Sequence, residues 1–315
     1  MSGDRPPSGP HSVPSSKPTV QTVRMMSPRP SGPRLPPSSV RFPAAGDVLP
    51  SPRGTYTVER AIGQGAYGAV YAAIGPFDQR YALKLLVPAN RPYAEVQTEW
   101  AKETERLLRL RHPNVVYMHD AFEADFLFYM ALEWCSCSLH DFLDSAIAPE
   151  LSLELVRQIL AAVQYLHDHD IVHGDLHPGN VLIVKGDRPT VKLADFGISQ
   201  ELHGSRAVRP DIVHHGIMAP EVAKAGYTSR QSDIYQVGLL LYWMFTGSPP
   251  IDYDVPYAEL LRQVNEGVPR VRAEALGSPI GKVIAKMLRR REEFRYAGAR
   301  EVWDDLKVLP DWKGP

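Results

Sequence analysis

The chain has 315 residues, 44% of them hydrophobic and 23% charged, with a formal net charge of -1. That length supports one large or two modest domains with a proper core, and the near-neutral balance excludes a bulk nucleic-acid binder. The only cysteines, Cys135 and Cys137, are one residue apart, which makes neither a staple nor a zinc site, so free thiols in a reducing, cytoplasmic setting are expected.

Residues 1–52 hold thirteen of the 29 prolines, many serines and scattered arginines. No apolar leader is visible there. Such a segment buries too little surface to offset its ordering entropy and is expected to be disordered, with local polyproline II character. Pro30-Ser31-Gly32-Pro33 and Pro33-Arg34-Leu35-Pro36 match PxxP, so the tail reads as a spacer, or as a docking or autophosphorylation segment. From Thr55 the texture changes. Thr55–Ile62, Ala69–Ile74 and Arg80–Val87 read as strands, Tyr93–Leu110 as a helix, and Val115–Phe122 and Leu127–Trp134 as two more strands. Beyond Cys135 the pattern is mainly helical, over Leu139–Ser145, Ser152–His169, Ser232–Phe245, Tyr257–Glu266, Ile280–Leu288 and Ala299–Leu306. Two short strands, Val181–Val184 and Val191–Ala194, interrupt it. The apolar stretch Val237 to Phe245 is too short to span a bilayer, so no membrane attachment is expected. This is an α+β, two-lobed plan: a β-rich lobe at about 53–134, a helical lobe at about 135–309 and a short tail at 310–315. A cleft between lobes is a natural ligand site.

Five motifs fall in one order: Gly63-Gln64-Gly65-Ala66-Tyr67-Gly68, Ala82-Leu83-Lys84, His173-Gly174-Asp175-Leu176-His177-Pro178-Gly179-Asn180, Asp195-Phe196-Gly197 and Ala219-Pro220-Glu221. The glycines do not open a helix, because Ala69 to Ile74 is strand-like and short, so the loop joins two strands rather than forming a dinucleotide fingerprint. Glycines there let backbone N–H groups approach phosphates. Lys84 is the one charge of an apolar strand and shares a face with Ala82 by period two. Burying it unpaired would be costly, and Glu95, Glu99, Glu103 and Glu105 are candidate partners. About fifteen residues separate Asn180 from Asp195, enough for one hairpin that returns both to the same mouth.

In order and spacing, residues 56–306 resemble the eukaryotic-like protein kinase family. The resemblance implies that Ile62, Gly63, Gly65 and Gly68 cover ATP, that Val70, Ala82 and Leu182 sandwich its adenine, and that the backbone at Glu133 and Cys135 bonds it. It implies that Lys84 holds the phosphates and is itself held by Glu103, which lies four residues before Leu107. Asp175 would orient the substrate hydroxyl, while Asn180 and Asp195 would bind magnesium, with manganese as an alternative. The implied activity is transfer of the γ-phosphate to serine or threonine of a protein substrate. Glu221 is expected to pair with Arg295, and Asp233 to tie the catalytic loop to its helix.

Two residues depart from the pattern. The usual His-Arg-Asp reads His-Gly-Asp, so Gly174 lacks the arginine that normally holds an activation-loop phosphate. Between Asp195 and Glu221 only Ser199 and Ser205 carry hydroxyls. The lysine two residues past the catalytic aspartate is His177, which is expected to contact the γ-phosphate in its charged form or, alternatively, to hydrogen-bond Asp175. His-Gly-Asp-x-His also resembles the loop of small-molecule phosphotransferases such as the aminoglycoside and choline kinase group. A nucleotide-binding scaffold is a third reading, favoured by the unusual Val213-His214-His215-Gly216-Ile217-Met218 ahead of Ala-Pro-Glu. Gly179 stands where many basophilic kinases carry an acid, so arginine-directed specificity is not expected.

Overall fold

The computed structural model describes residues 22–24, 41–64, 68–86, 91–143, 146–197, 199–210 and 212–309. The N-terminal lobe is built on an antiparallel sheet of six strands: β1 (Val48–Ser51), β2 (Gly54–Gln64), β3 (Gly68–Ile74), β4 (Arg80–Leu86), β5 (Met118–Ala124) and β6 (Leu127–Glu133). Their spatial order is β1-β2-β3-β4-β6-β5. On β4, period-two alternation sorts the side chains. Tyr81, Leu83 and Leu85 are buried on one face, while Ala82 and Lys84 sit half-buried on the other. The first face carries a satellite core in which Phe122 stacks between Tyr56 and Tyr129, with ring centroids 5.3 and 5.2 Å away. The second face looks toward helix α1 (Tyr93–Arg109) and the cleft.

The sheet begins earlier than composition suggested. Residues 48–51 fall inside the proline-rich tail, yet they form the edge strand β1. Leu49 is buried against the satellite core while Val48 stays exposed, and an edge strand accommodates Pro50, whose missing N–H costs no inner ladder bond. Thr22–Arg24 also pairs, antiparallel to Ile212–His214. The PxxP segments and residues 310–315 lie outside the described residues.

The C-terminal lobe is organised by α2 (Pro149–Asp168) and α4 (Arg230–Thr246), with the short α3 (Pro220–Ala225) between them. Helix α4 is apolar on all faces, with Ile234, Val237, Leu240, Leu241 and Met244 almost wholly buried, which is the signature of a helix at the centre of a lobe. Each such side chain contributes roughly 1.5–3 kcal/mol when removed from water. A reciprocal cap starts this helix: the Ser229 N–H donates to Ser232 Oγ at 3.0 Å. Helices α5 (Tyr257–Glu266), α6 (Val268–Glu274), α7 (Pro279–Met287) and α8 (Ala299–Leu306) complete the lobe. Sequence periodicity missed α3 and α6, which have only six and seven residues. The expected helix Leu139–Ser145 is a 3-10 turn over Leu139–Phe142, with residues 144–145 outside the described residues.

Short strands carry the loops of the cleft: β7 (Ile171–Val172), β8 (Val181–Val184), β9 (Thr190–Leu193) and β10 (Gln200–Glu201). The lobes are stitched where β9 meets the segment before β5. Val116 N–H donates to the Leu193 carbonyl, and Leu193 N–H to the Asn114 carbonyl, both at 2.8 Å. Beside them Lys192 pairs with Glu133 at 2.8 Å. The principal apolar core runs across this junction, from Val96, Leu107 and Met130 into Leu155, Ile159 and Leu240.

Candidate active site

Lys84 projects from β4 between two carboxylates. Its Nζ donates to Glu103 Oε1 and to Asp195 Oδ1, each at 2.7 Å. The other acids of α1 go elsewhere: Glu99 pairs with Arg91 and Glu105 with Arg109. Glu103 is the one aimed inward, with a side chain only 4% exposed. Burial alone would lower the Lys84 pKa, but Asp195 and Glu103 outweigh it and hold the ammonium above its usual value. Burial would likewise raise Asp195, and the Lys84 ammonium overrides it, bringing the carboxyl down to about 2. Burial pushes Glu103 up, with Lys84 opposing. Asp195 adopts a left-handed backbone, φ 65°, and its carboxylate stays open to the cleft. Gly197 completes the pocket: a Cβ there would lie 3.3 Å from Asp195 Oδ1 and 3.5 Å from Glu103 Oε2.

The catalytic loop between β7 and β8 brings Asp175, His177 and Asn180 together. Asn180 Nδ2 donates to the Asp175 carbonyl and to Asp175 Oδ2, both at 3.0 Å. With its amide nitrogen committed, Asn180 presents its oxygen as the remaining ligand atom. Asp233, in the first turn of α4, accepts the backbone N–H of His173 at 2.9 Å and of Gly174 at 2.8 Å. Its Oδ2 also lies 2.8 Å from His167 Nε2. Gly174 has φ 76°, a conformation that a side chain would strain.

His177 lies in the catalytic loop beside Asp175. Its Nδ1 accepts the Gly179 N–H at 3.1 Å, which places the ring proton on Nε2, 3.8 Å from Asp175 Oδ2. Burial lowers its pKa to about 4, against the attraction of Asp195. Gly179 is bound to this arrangement, because a Cβ at that position would meet His177 Cε1 at 2.8 Å.

Around the expected nucleotide position, Val70, Ala82 and Leu182 are half-buried, and Ile62 is exposed at the mouth. Gly63 and Gly68 end the strands that flank the loop, while Gly65 lies outside the described residues. Cys135 follows Glu133 out of β6, and burial pushes its thiol up to about 12. Behind the site Met118, Leu107, Phe196 and His173 are buried in line, with the His173 and Phe196 rings 5.0 Å apart.

The donor set suits a hard divalent cation. Asp195 supplies a carboxylate and Asn180 an amide oxygen. Among the described residues no cluster of three histidine, cysteine or acidic side chains forms a closed metal cage. Magnesium commonly takes one or two carboxylates and completes its shell with phosphates and water.

Comparison with known proteins agrees with this geometry. A family model, the protein kinase domain, matches residues 56–305. The chain belongs to the protein kinase family. Its kinase domain is 27% identical over 266 residues to the serine/threonine-protein kinase PrkC of Bacillus subtilis (strain 168), covering 82% of this chain and 41% of PrkC. It is 28% identical over 264 residues to the probable serine/threonine-protein kinase PknB of Lactococcus lactis, covering 80% and 41%. The carbon catabolite-derepressing protein kinase of Candida tropicalis is 30% identical over 233 residues, covering 72% and 37%. The chain thus spans about two fifths of the length of these relatives. Kinase domains use ATP with a divalent metal and act on protein substrates.

Sequence reasoning missed three groups that structure the kinase site. Gln236 on α4 accepts the Leu176 N–H at 3.0 Å and donates to the Gly174 carbonyl at 2.9 Å. Gln158 on α2 accepts from both Asn114 and the Val191 N–H. Arg106 donates to the Phe196 carbonyl at 2.7 Å. A polar residue on an otherwise buried helix face was the available signal for the two glutamines. No helix among the described residues is long and apolar enough to cross a membrane.

Proposed function

We propose that this chain transfers the γ-phosphate of ATP to serine or threonine hydroxyls of protein substrates, with magnesium, or alternatively manganese, as the divalent cation. The observation that carries the reading is Lys84, held at 2.7 Å by both Glu103 and Asp195 while Asn180 fixes Asp175. In this reading Lys84 orients the phosphates, and Glu103 keeps Lys84 from collapsing onto solvent. Asp175 aligns the substrate hydroxyl and receives its proton. The neutral His177 Nε2–H steadies the Asp175 carboxylate instead of supplying a positive charge. Ile62, Gly63, Gly65, Gly68, Val70, Ala82 and Leu182 line the nucleotide, and the backbone at Glu133 and Cys135 bonds adenine. Asp195 and Asn180 would hold the metal, which neutralises charge on the phosphates when bound. The transfer itself needs positioning more than covalent chemistry.

The kinase domain is read as spanning 53–309, in a cytoplasmic protein whose proline-rich segment docks partners or is autophosphorylated. The deciding experiment is radiolabelled ATP with the purified chain, generic protein substrates and small-molecule alcohols. Label on protein serine or threonine supports the reading. Label only on an aminoglycoside or choline transfers the assignment to small-molecule kinases, and nucleotide binding without transfer makes the chain a scaffold.

A further inference from the structure

Helix α1 carries a half-buried cation, Arg106, that takes no part in pairing Lys84. Arg106 follows Glu103 by three residues and so lies on the same face, one turn on. Its Nη1 donates to the Phe196 carbonyl at 2.7 Å, an oxygen that also accepts the Ser199 N–H at 3.2 Å. Phe196 is fully buried between α1 and the catalytic loop. Burial weakens the guanidinium's hold on its proton, and the charges of Glu201 and then Glu103 oppose that without making a direct contact. Glu201 belongs to β10, which pairs with β7 in the register Glu201↔Ile171, and the exposed His203 ring lies 3.9 Å from its carboxylate. Arg106 therefore touches the first residues of the activation segment from the N-terminal lobe.

The same segment root is already tied down without modification. Ser199 is buried, and its hydroxyl donates to the His173 carbonyl at 3.1 Å, so of the two hydroxyls it is the one withheld from solvent. Leu202 N–H donates to the Asp170 carbonyl at 2.8 Å, and Arg230 pairs with the Asp170 carboxylate at 2.8 Å. Gly174 contributes no side chain to this assembly.

We propose that Arg106 is a positioning residue which, through its bond to the Phe196 carbonyl, fixes α1 against the root of the activation segment. It thereby keeps Glu103 on Lys84 with no phosphorylated side chain present. This role rests on the kinase reading above. Arginine suits it because a delocalised, planar guanidinium is less hydrated than an ammonium and holds its donors in a fixed geometry toward the carbonyl. A lysine would keep the charge but offer a single point contact.

The test compares phosphatase-treated full-length wild type with Arg106→Gln, Arg106→Lys, Glu201→Gln and the Arg106→Gln/Glu201→Gln double variant. Initial rates, the KM for ATP, melting temperature and hydrogen exchange of α1 and residues 199–204 are measured. Arg106→Gln should lower kcat by at least about tenfold, or about 1.4 kcal/mol of barrier. Arg106→Lys should recover part of the loss, and α1 should exchange faster in Arg106→Gln before any substrate is added. Glu201→Gln should lower kcat alone but add little in the Arg106→Gln background, as coupled groups do. An unchanged kcat, multiplicative losses, or a loss that follows melting temperature alone with no rescue by lysine overturns the proposal. If Arg106→Gln does not fold, Arg106→Lys and the half-exposed Glu201→Gln carry the same comparison. Wild type that transfers nothing overturns the kinase reading, and the exchange data still decide the role of Arg106.

Discussion

The nucleotide-facing half of the cleft and the activation segment opposite it were built to different rules. On one side Lys84 holds Glu103 and Asp195, each at 2.7 Å, and Asn180 holds Asp175 at 3.0 Å. On the other, the arginine that would read a phosphate is Gly174, one of the two hydroxyls is buried, and unmodified residues hold the root of the segment. The contrast teaches that the demands of transfer leave little room for change, because every group must meet the same phosphates. The demands of control can be met by any contacts that fix the same backbone.

The sharpest way to break the comparison is Lys84→Met. If the first half is the catalytic one, transfer should fall at least about 1000-fold, roughly 4 kcal/mol of barrier, in single-turnover assays. The variant should still unfold cooperatively, at a lower temperature, because Glu103 loses its buried counter-charge. Turnover within tenfold of wild type would remove Lys84 from the site.

A structural ion pair should behave in the opposite way. Arg295 holds Glu221 with two bonds, at 2.8 and 2.7 Å, and their side chains are 0% and 6% exposed. Arg295→Met should cost about 3–5 kcal/mol in urea unfolding, since it strands a buried carboxylate, while ATP affinity of the folded fraction is unchanged. A cost below about 1 kcal/mol would class the pair with exposed ones.

Acid should weaken both halves together. Burial holds His112, His119, His173 and His177 below the usual histidine pKa. Such a group stays neutral in the native state while the unfolded chain takes up a proton below about pH 6.5. Its stability contribution is therefore complete above that pH and is lost as pH falls. The urea midpoint should drop between pH 7.5 and 5.5. A flat midpoint over that range would contradict neutral burial.

The smallest effect belongs to Ser205, the exposed hydroxyl of the segment. Phosphatase treatment or Ser205→Ala should leave the initial rate within about twofold, under about 0.5 kcal/mol. A tenfold loss would show a phosphate gate after all, with the exposed Arg206 or Arg209 as its reader.

Much of the first half was legible because its residues carry spacing. Ala82 and Lys84 share a strand face whatever surrounds them, and Glu103 sits at a fixed offset from Leu107. The Asn180–Asp195 interval closes as a hairpin in which Val181–Val184 pairs with Thr190–Leu193. The second half was less legible because its contacts join residues remote in sequence through backbone atoms. Arg106 reaches the Phe196 carbonyl, Ser199 the His173 carbonyl, and neither acceptor has a side-chain signature. His177 shows a related limit. Its residue type left open a γ-phosphate contact or a bond to Asp175, and only the local N–H of Gly179, which sequence does not signal, sets its tautomer. The edge strand at Val48–Ser51 was hidden by average composition, since one buried side chain, Leu49, and a backbone ladder to Gly54–Thr57 suffice to add it to the sheet.

The seam at Asn114–Val116 and Leu193 also fixes how the molecule can move. Two backbone bonds and the neighbouring Lys192–Glu133 pair lie along one edge of the cleft. A rotation that parts the lobes without breaking them must use that edge as its axle. Displacement then grows with distance from it, least at Glu133 and greater at the far strand ends Gly63 and Gly68. Adenine would be held at the still end of this lever and the phosphates at the sweeping end, so a spent nucleotide should let go tail first.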